Sequence, residues 1–106
     1  MALSPSALAH HLLLGAGVSV GAGVVFGANV VVHDDTEIGD GCFIQDGAVL
    51  GKIPSLAPAA TAKRSELPPA RLGPGCVIST GAIVYRGVTA GPVTLFSRWR
   101  GGPWRP

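Results

Sequence analysis

Few side chains in this sequence can do chemistry, and most of them lie along one central run. His33 is followed directly by Asp34 and Asp35. A carboxylate hydrogen-bonded to an imidazole fixes its tautomer, and the ring titrates close to neutral pH. Either aspartate is close enough in sequence to serve His33 in this way. The alternative is a solvated surface histidine, with Asp35 merely turning the chain. Four cations, Lys52, Lys63, Arg64 and Arg71, lie in and beside a proline-rich stretch, where they can meet the phosphates of a nucleotide-type ligand. Here the alternative is a solvated loop. His10 and His11 are weaker candidates, because they precede the patterned part of the chain. The two cysteines, Cys42 and Cys76, are too few for a zinc site. With no sign of secretion, they read as small core hydrophobes and not as a disulfide.

These residues are positioned by a repeat of period six. From Leu14 the chain reads LGAGVS, VGAGVV, FGANVV, VHDDTE, IGDGCF, IQDGAV, and after an interruption LGPGCV, ISTGAI, VYRGVT. Leu14, Val20, Phe26, Val32, Ile38, Ile44 and Leu50, then Leu72, Ile78 and Val84, hold the first place. The fourth place of all nine complete hexads is Gly, Asn or Asp, the residues that tolerate positive φ, so a corner is expected there. The fifth place is small or β-branched and, like the first, points inward. Neither a helix (period 3.6) nor an alternating strand (period 2) has this spacing, whereas a parallel β-helix does. Three hexads make one triangular coil, and successive coils stack about 4.8 Å apart. About four coils are expected, with Cys76 directly above Cys42.

The hexad resembles that of the hexapeptide-repeat acyltransferase family, over residues 14–96. The resemblance implies an all-β, single-stranded left-handed parallel β-helix that usually assembles as a homotrimer. It also implies transfer of an acyl group, usually acetyl from acetyl-coenzyme A as co-substrate, to a hydroxyl or amine, often of a sugar or nucleotide sugar. In the family a histidine on the outer surface is the general base and backbone N–H groups stabilise the oxyanion. Carried onto this chain, that role falls to His33 with Asp35, and the phosphate contacts fall to Lys52, Lys63, Arg64 and Arg71. A zinc hydratase of the γ-carbonic anhydrase type shares the coil but needs three histidines, so no metal is expected. A non-catalytic structural or oligomerisation β-helix is the alternative function.

The remaining sequence divides around the coils. Residues 1–13 are expected to form an N-terminal cap, with Ser4-Pro5 starting a short helix over Ala7–Leu13. Residues 14–51 and 72–96 are coil, 52–71 an excursion loop broken by Pro54, Pro58, Pro68 and Pro69, and 97–106 an irregular tail. In the family such loops reach over a neighbouring subunit toward the active site. From Ala90 the repeat weakens, with Val93 in a corner place. The tail's Trp99 and Trp104 fit no coil, which suggests a truncated or frame-altered relative of a longer repeat protein. The outward sixth places predict two apolar faces, Val25/Phe43/Val77 and Val31/Val49/Ile83, and one polar face, Ser19/Glu37/Thr89. Two adjacent apolar faces suit a closed three-fold ring. A net charge of +2 favours neither nucleic acid nor a membrane surface as partner. The uncharged stretch 12–32 is long enough to span a bilayer, but Gly15, Gly17, Gly21, Gly23 and Gly27 keep step with the hexad and argue against a membrane helix. No basic segment opens the chain as in a signal peptide, so a cytoplasmic location is expected.

Overall fold

The computed structural model describes residues 11–53 and 67–97, and the backbone of 4–6. Every strand but the first belongs to a left-handed parallel β-helix of four coils. The first coil is β2 (Leu12–Leu14), β3 (Ser19–Val20) and β4 (Val25–Phe26), and the second is β5 (Val31–Val32), β6 (Glu37–Ile38) and β7 (Phe43–Ile44). The third is β8 (Val49–Lys52), β9 (Arg71–Leu72) and β10 (Val77–Ile78). The fourth is β11 (Ile83–Tyr85), β12 (Thr89–Ala90) and β13 (Leu95–Phe96). With β1 (Ser4–Ser6) at the open edge of the first, the coils stack into three sheets, ordered β1-β2-β5-β8-β11, β3-β6-β9-β12 and β4-β7-β10-β13. The excursion leaves the first sheet after β8 and returns to the second at β9, so the order of faces is kept.

The corners arise where the side chains permit them. Gly17, Gly23, Asn29, Asp35, Gly41, Gly47, Gly75, Gly81 and Gly87 all have positive φ, between 60° and 96°. Between corners the first and fifth places fill the interior: Val30, Val32, Ile44, Leu50, Cys76 and Ile78 are fully buried. Burying an aliphatic side chain of this size contributes about 1.5–3 kcal/mol. Leu14, Val20 and Phe26 in the first coil are only half-buried, because they have a neighbouring coil on one side alone. Phe43 pairs with Val77, and the Phe43 amide donates to the Cys76 carbonyl at 2.9 Å, so Cys76 does stack on Cys42. Both thiols are free and buried, and burial pushes the Cys42 thiol pKa up. Outward residues stack in the expected faces, Val25–Phe43–Val77–Leu95 and Val31–Val49–Ile83. Ser19–Glu37–Arg71–Thr89 forms the polar one.

Two expectations at the ends are corrected. Leu12–Leu14 is a strand, not the end of a helix, and pairs antiparallel with β1 (Ser4–Ser6), Ser4 opposite Leu14. Residues 7–10 lie outside the described part. A helix of one or two turns nucleates poorly, whereas a strand here satisfies the open edge of the first sheet. Pro5 is tolerated because β1 is itself an edge strand. The corner pattern already holds just before Leu14: His11 takes a corner with φ 54°, and Leu12 behind it is fully buried. At the other end Val93 turns the last corner with φ 56° and its amide donates to the Pro74 carbonyl at 2.9 Å. The register thus holds through Phe96 even with a β-branched residue in the left-handed region.

That conformation costs an L-residue about 1–2 kcal/mol, and Val93 is 81% exposed, so little packing opposes its replacement. Val93→Asn is expected to stabilise the fold by about 1 kcal/mol. The check is the thermal midpoint, which should rise, while Asn29→Val, the reverse change at a regular corner, should lower it.

Candidate functional site

His33 sits where the first sheet ends and the chain turns toward the second, on the corner from which the excursion departs one coil further on. Its backbone is fixed by the coil: the His33 amide donates to the Leu50 carbonyl at 2.8 Å. Its carbonyl accepts the Thr36 hydroxyl at 2.9 Å. That bond accounts for Thr36, the one polar side chain among the buried residues. Gly51 closes over the same spot with φ 76°, and a Cβ there would collide with the Thr36 hydroxyl and lie 3.6 Å from the His33 Cβ. Beyond Gly51 the pairing of β8 with β11 slips by one residue, so that Tyr85 faces Lys52.

The two neighbouring aspartates do not bind the ring. Asp34 Oδ1 accepts the Ala16 amide of the first coil at 3.0 Å. Asp35 has φ 63°, and its amide donates to the Ala16 carbonyl at 2.9 Å. No hydrogen bond joins either carboxylate to His33 among the described residues; Asp35 turns the corner and its side chain lies against Gly17. The His33 pKa is lowered, first by burial, with the Lys52 charge lowering it further and the Asp34 charge opposing. The ring is therefore kept in its neutral, proton-accepting form at neutral pH.

Of the four predicted cations, Lys52 stands beside His33 at the departure of the excursion. Arg71 stands where the chain rejoins the coil, paired with Glu37 at 3.2 Å, both half-exposed. Such a pair is worth no more than about 1 kcal/mol. Lys63 and Arg64 lie outside the described residues. Two shallow concavities, of about 370 Å³ (His11, Leu13, Asn29, Val31) and 210 Å³ (Gly27, Phe43, Gln45, Asp46, Thr80), lie at a different corner and exclude His33. Among the described residues no three His, Cys, Asp or Glu side chains gather as a metal site, and no helix is long and apolar enough to cross a membrane.

One pattern escaped the sequence reading. Asp34, Asp40 and Asp46 hold the third place of the second coil and accept the amides of Ala16, Ala22 and Ala28 at 2.8–3.0 Å. Their spacing of six was visible, but the inward places drew attention instead. The ladder directs Asp34 Oδ1 to the first coil, away from the imidazole.

Residues 17–52 match the family model described as bacterial transferase hexapeptide (six repeats). A crystal structure of a hexapeptide transferase family protein from Anaplasma phagocytophilum is 16% identical, with 92% of this chain and 79% of that one covered and a TM-score of 0.21. That likeness is too low to bear on function. No curated protein matches the chain significantly.

Two measurements check the corner. Since the folded His33 pKa lies below the ordinary 6.5, the unfolded chain binds more protons between the two values. Stability is expected to fall as pH drops from 6.5 through the folded midpoint and to level off below it, and His33→Gln should remove that component of a urea-midpoint series. Gly51→Ala is expected to destabilise by about 2 kcal/mol or more, from the positive φ and the collision with Thr36, read as a lower denaturation midpoint.

Proposed function

We propose that this chain, built on the hexapeptide repeat of the bacterial transferases, transfers an acetyl group from acetyl-coenzyme A to a hydroxyl or amine of a sugar or nucleotide sugar. The observation that carries the reading is His33, a neutral, half-buried imidazole held rigidly at the root of the excursion. The acceptor's O–H or N–H gives its proton to the His33 ring as its oxygen or nitrogen attacks the thioester carbonyl. The tetrahedral oxyanion is stabilised by backbone N–H groups, then collapses and expels the coenzyme A thiolate, which takes the proton back from the imidazolium. Asp34, whose charge favours protonated His33, supports the imidazolium during this exchange. Asp35 acts as the corner residue that frames it. Lys52, with Lys63 and Arg64, serves the phosphates of the donor, and Arg71 is drawn into that role when Glu37 releases it.

The active unit in this proposal is a homotrimer. Val25, Phe43 and Leu95 on one outer face are 55%, 44% and 66% exposed, and Ile83 on the adjacent face is 39% exposed. A three-fold ring buries such neighbouring faces and gives His33 the second wall that a single chain does not supply. The alternative, a structural β-helix without catalysis, is favoured by the lack of a carboxylate bonded to the His33 ring among the described residues, Asp34 Oδ1 being taken by the Ala16 amide.

Coenzyme A release from acetyl-coenzyme A in the presence of amino-sugar acceptors tests the reading. His33→Gln is expected to lower turnover by about 10²–10⁴-fold. Acetyl-coenzyme A at 100 times its Kd should stabilise the folded chain by about 2.7 kcal/mol. Neither turnover nor a thermal shift, in a chain that light scattering finds trimeric, would support the structural alternative.

A further inference from the structure

The corners of this coil share one hydrogen bond. At six of them the fourth-place amide donates to the third-place carbonyl one coil back: Asp35 to Ala16, Gly41 to Ala22, Gly47 to Ala28, Gly75 to Asp40, Gly81 to Asp46 and Val93 to Pro74, all at 2.8–2.9 Å. The Asp34 carbonyl should receive the corresponding amide of the third coil. Among the described residues no amide reaches it, because the chain leaves the coil for the excursion between Lys52 and Arg71. A partly buried carbonyl without a donor costs free energy, so another donor at this place is favoured.

Arg86, on the fourth coil's version of the same corner, fills the vacancy. Its Nη1 donates to the Asp34 carbonyl at 3.2 Å, and its Nε donates to the Leu67 carbonyl at 2.9 Å on the returning limb of the excursion. Its own amide donates to the Lys52 carbonyl at 2.8 Å on the departing limb. Leu67 in turn packs over the same corner, with its side chain 3.4 Å from where a Cβ would stand on Gly87. Three separated segments therefore converge on one residue. Asp34 is two coils from Arg86, about 9.6 Å along the stack, a gap suited to a long side chain. Two carbonyls are met by two different nitrogens of one rigid plane, whereas the single nitrogen of an ammonium would have to lie within reach of both.

We propose that Arg86 is a positioning residue: its guanidinium stands in for the missing corner, locking the His33 turn of the second coil to both limbs of the excursion. It does not touch substrate. It sets where His33 stands relative to whatever the excursion carries, and so decides whether base and donor meet. The connection to catalysis rests on His33 being the base; the clasp itself does not.

Amide hydrogen exchange and the His33 imidazole titration, both by NMR on the full chain, test this. The Glu37 amide, which donates to the Ala70 carbonyl on the returning limb, reports the clasp, and the Val25 and Phe43 amides on the opposite face report the stack. Arg86→Gln is expected to speed exchange at Glu37 by about tenfold or more, the loss of two charge-assisted bonds, with Val25 and Phe43 unchanged. Arg86→Lys, which keeps the charge but not the fork, should still speed Glu37 and should move the His33 midpoint up toward 6.5 as the corner opens to water. Arg71→Gln, at the same root but with a side chain bonded only to Glu37 among the described residues, should leave the His33 midpoint in place. An unchanged Glu37 amide, or equal loss of protection at Val25 and Phe43, would overturn the clasp. A His33 midpoint unmoved in Arg86→Lys would overturn its role in positioning the base. These readouts hold whether or not the chain transfers acetyl groups.

Discussion

The left-handed corner at every sixth residue is the constraint on which the rest depends. A residue with positive φ turns the backbone while its amide reaches the carbonyl of the coil behind, so one conformation both shapes the triangle and joins the layers. Once the corners are set, the first and fifth places have nowhere to go but inward, and Ile44, Leu50 and Ile78 close the interior column by column. Cooperativity in such a stack runs between nearest layers. The half-buried Leu14, Val20 and Phe26 show the consequence at the end, where a layer has one neighbour instead of two.

The site depends on the one place where this rule is suspended. The third coil gives up its corner to the excursion, and the structure answers locally with Gly51 in a positive-φ bulge, Thr36 bonded to the His33 carbonyl, and Arg86 across the gap. His33 is thus framed by compensations, not by a regular turn. Its depressed pKa follows from that packing more than from any partner charge. A regular hexad residue at position 33, a glycine as at Gly15, would offer neither the ring nor the enclosure.

Much of this was legible in the residues themselves. The hexad columns named the corners, the inward set, the stacking of Cys76 on Cys42 and the three outer faces, because each column admits few residue types for a stated steric reason. The ends were less legible. His11 and Val93 turn corners although neither belongs to the Gly, Asn and Asp of the other corners; His tolerates positive φ better than most residues, whereas Val93 is held there by its stack on Gly75. Where a helix was expected to run on to Leu13, Leu12–Leu14 pairs as a strand, because an open sheet edge offers more hydrogen bonds than a single turn. At the candidate site, the placing of His33 and Lys52 on adjacent coils of one corner could be read from the hexad. Arg86 could not, because its partners Asp34 and Leu67 are brought to it only by the fold, and the residue type of Asp35 does not reveal that it turns the corner without bonding the ring.

Because both limbs of the excursion are tied down within one corner, the coil has no means of sensing how much chain lies between them. Closing a longer segment adds only about 0.6 kcal/mol for each doubling of its length. The corner between Lys52 and Arg71 is therefore a natural socket: segments of quite different size and chemistry can be exchanged there while the layers above and below keep their register.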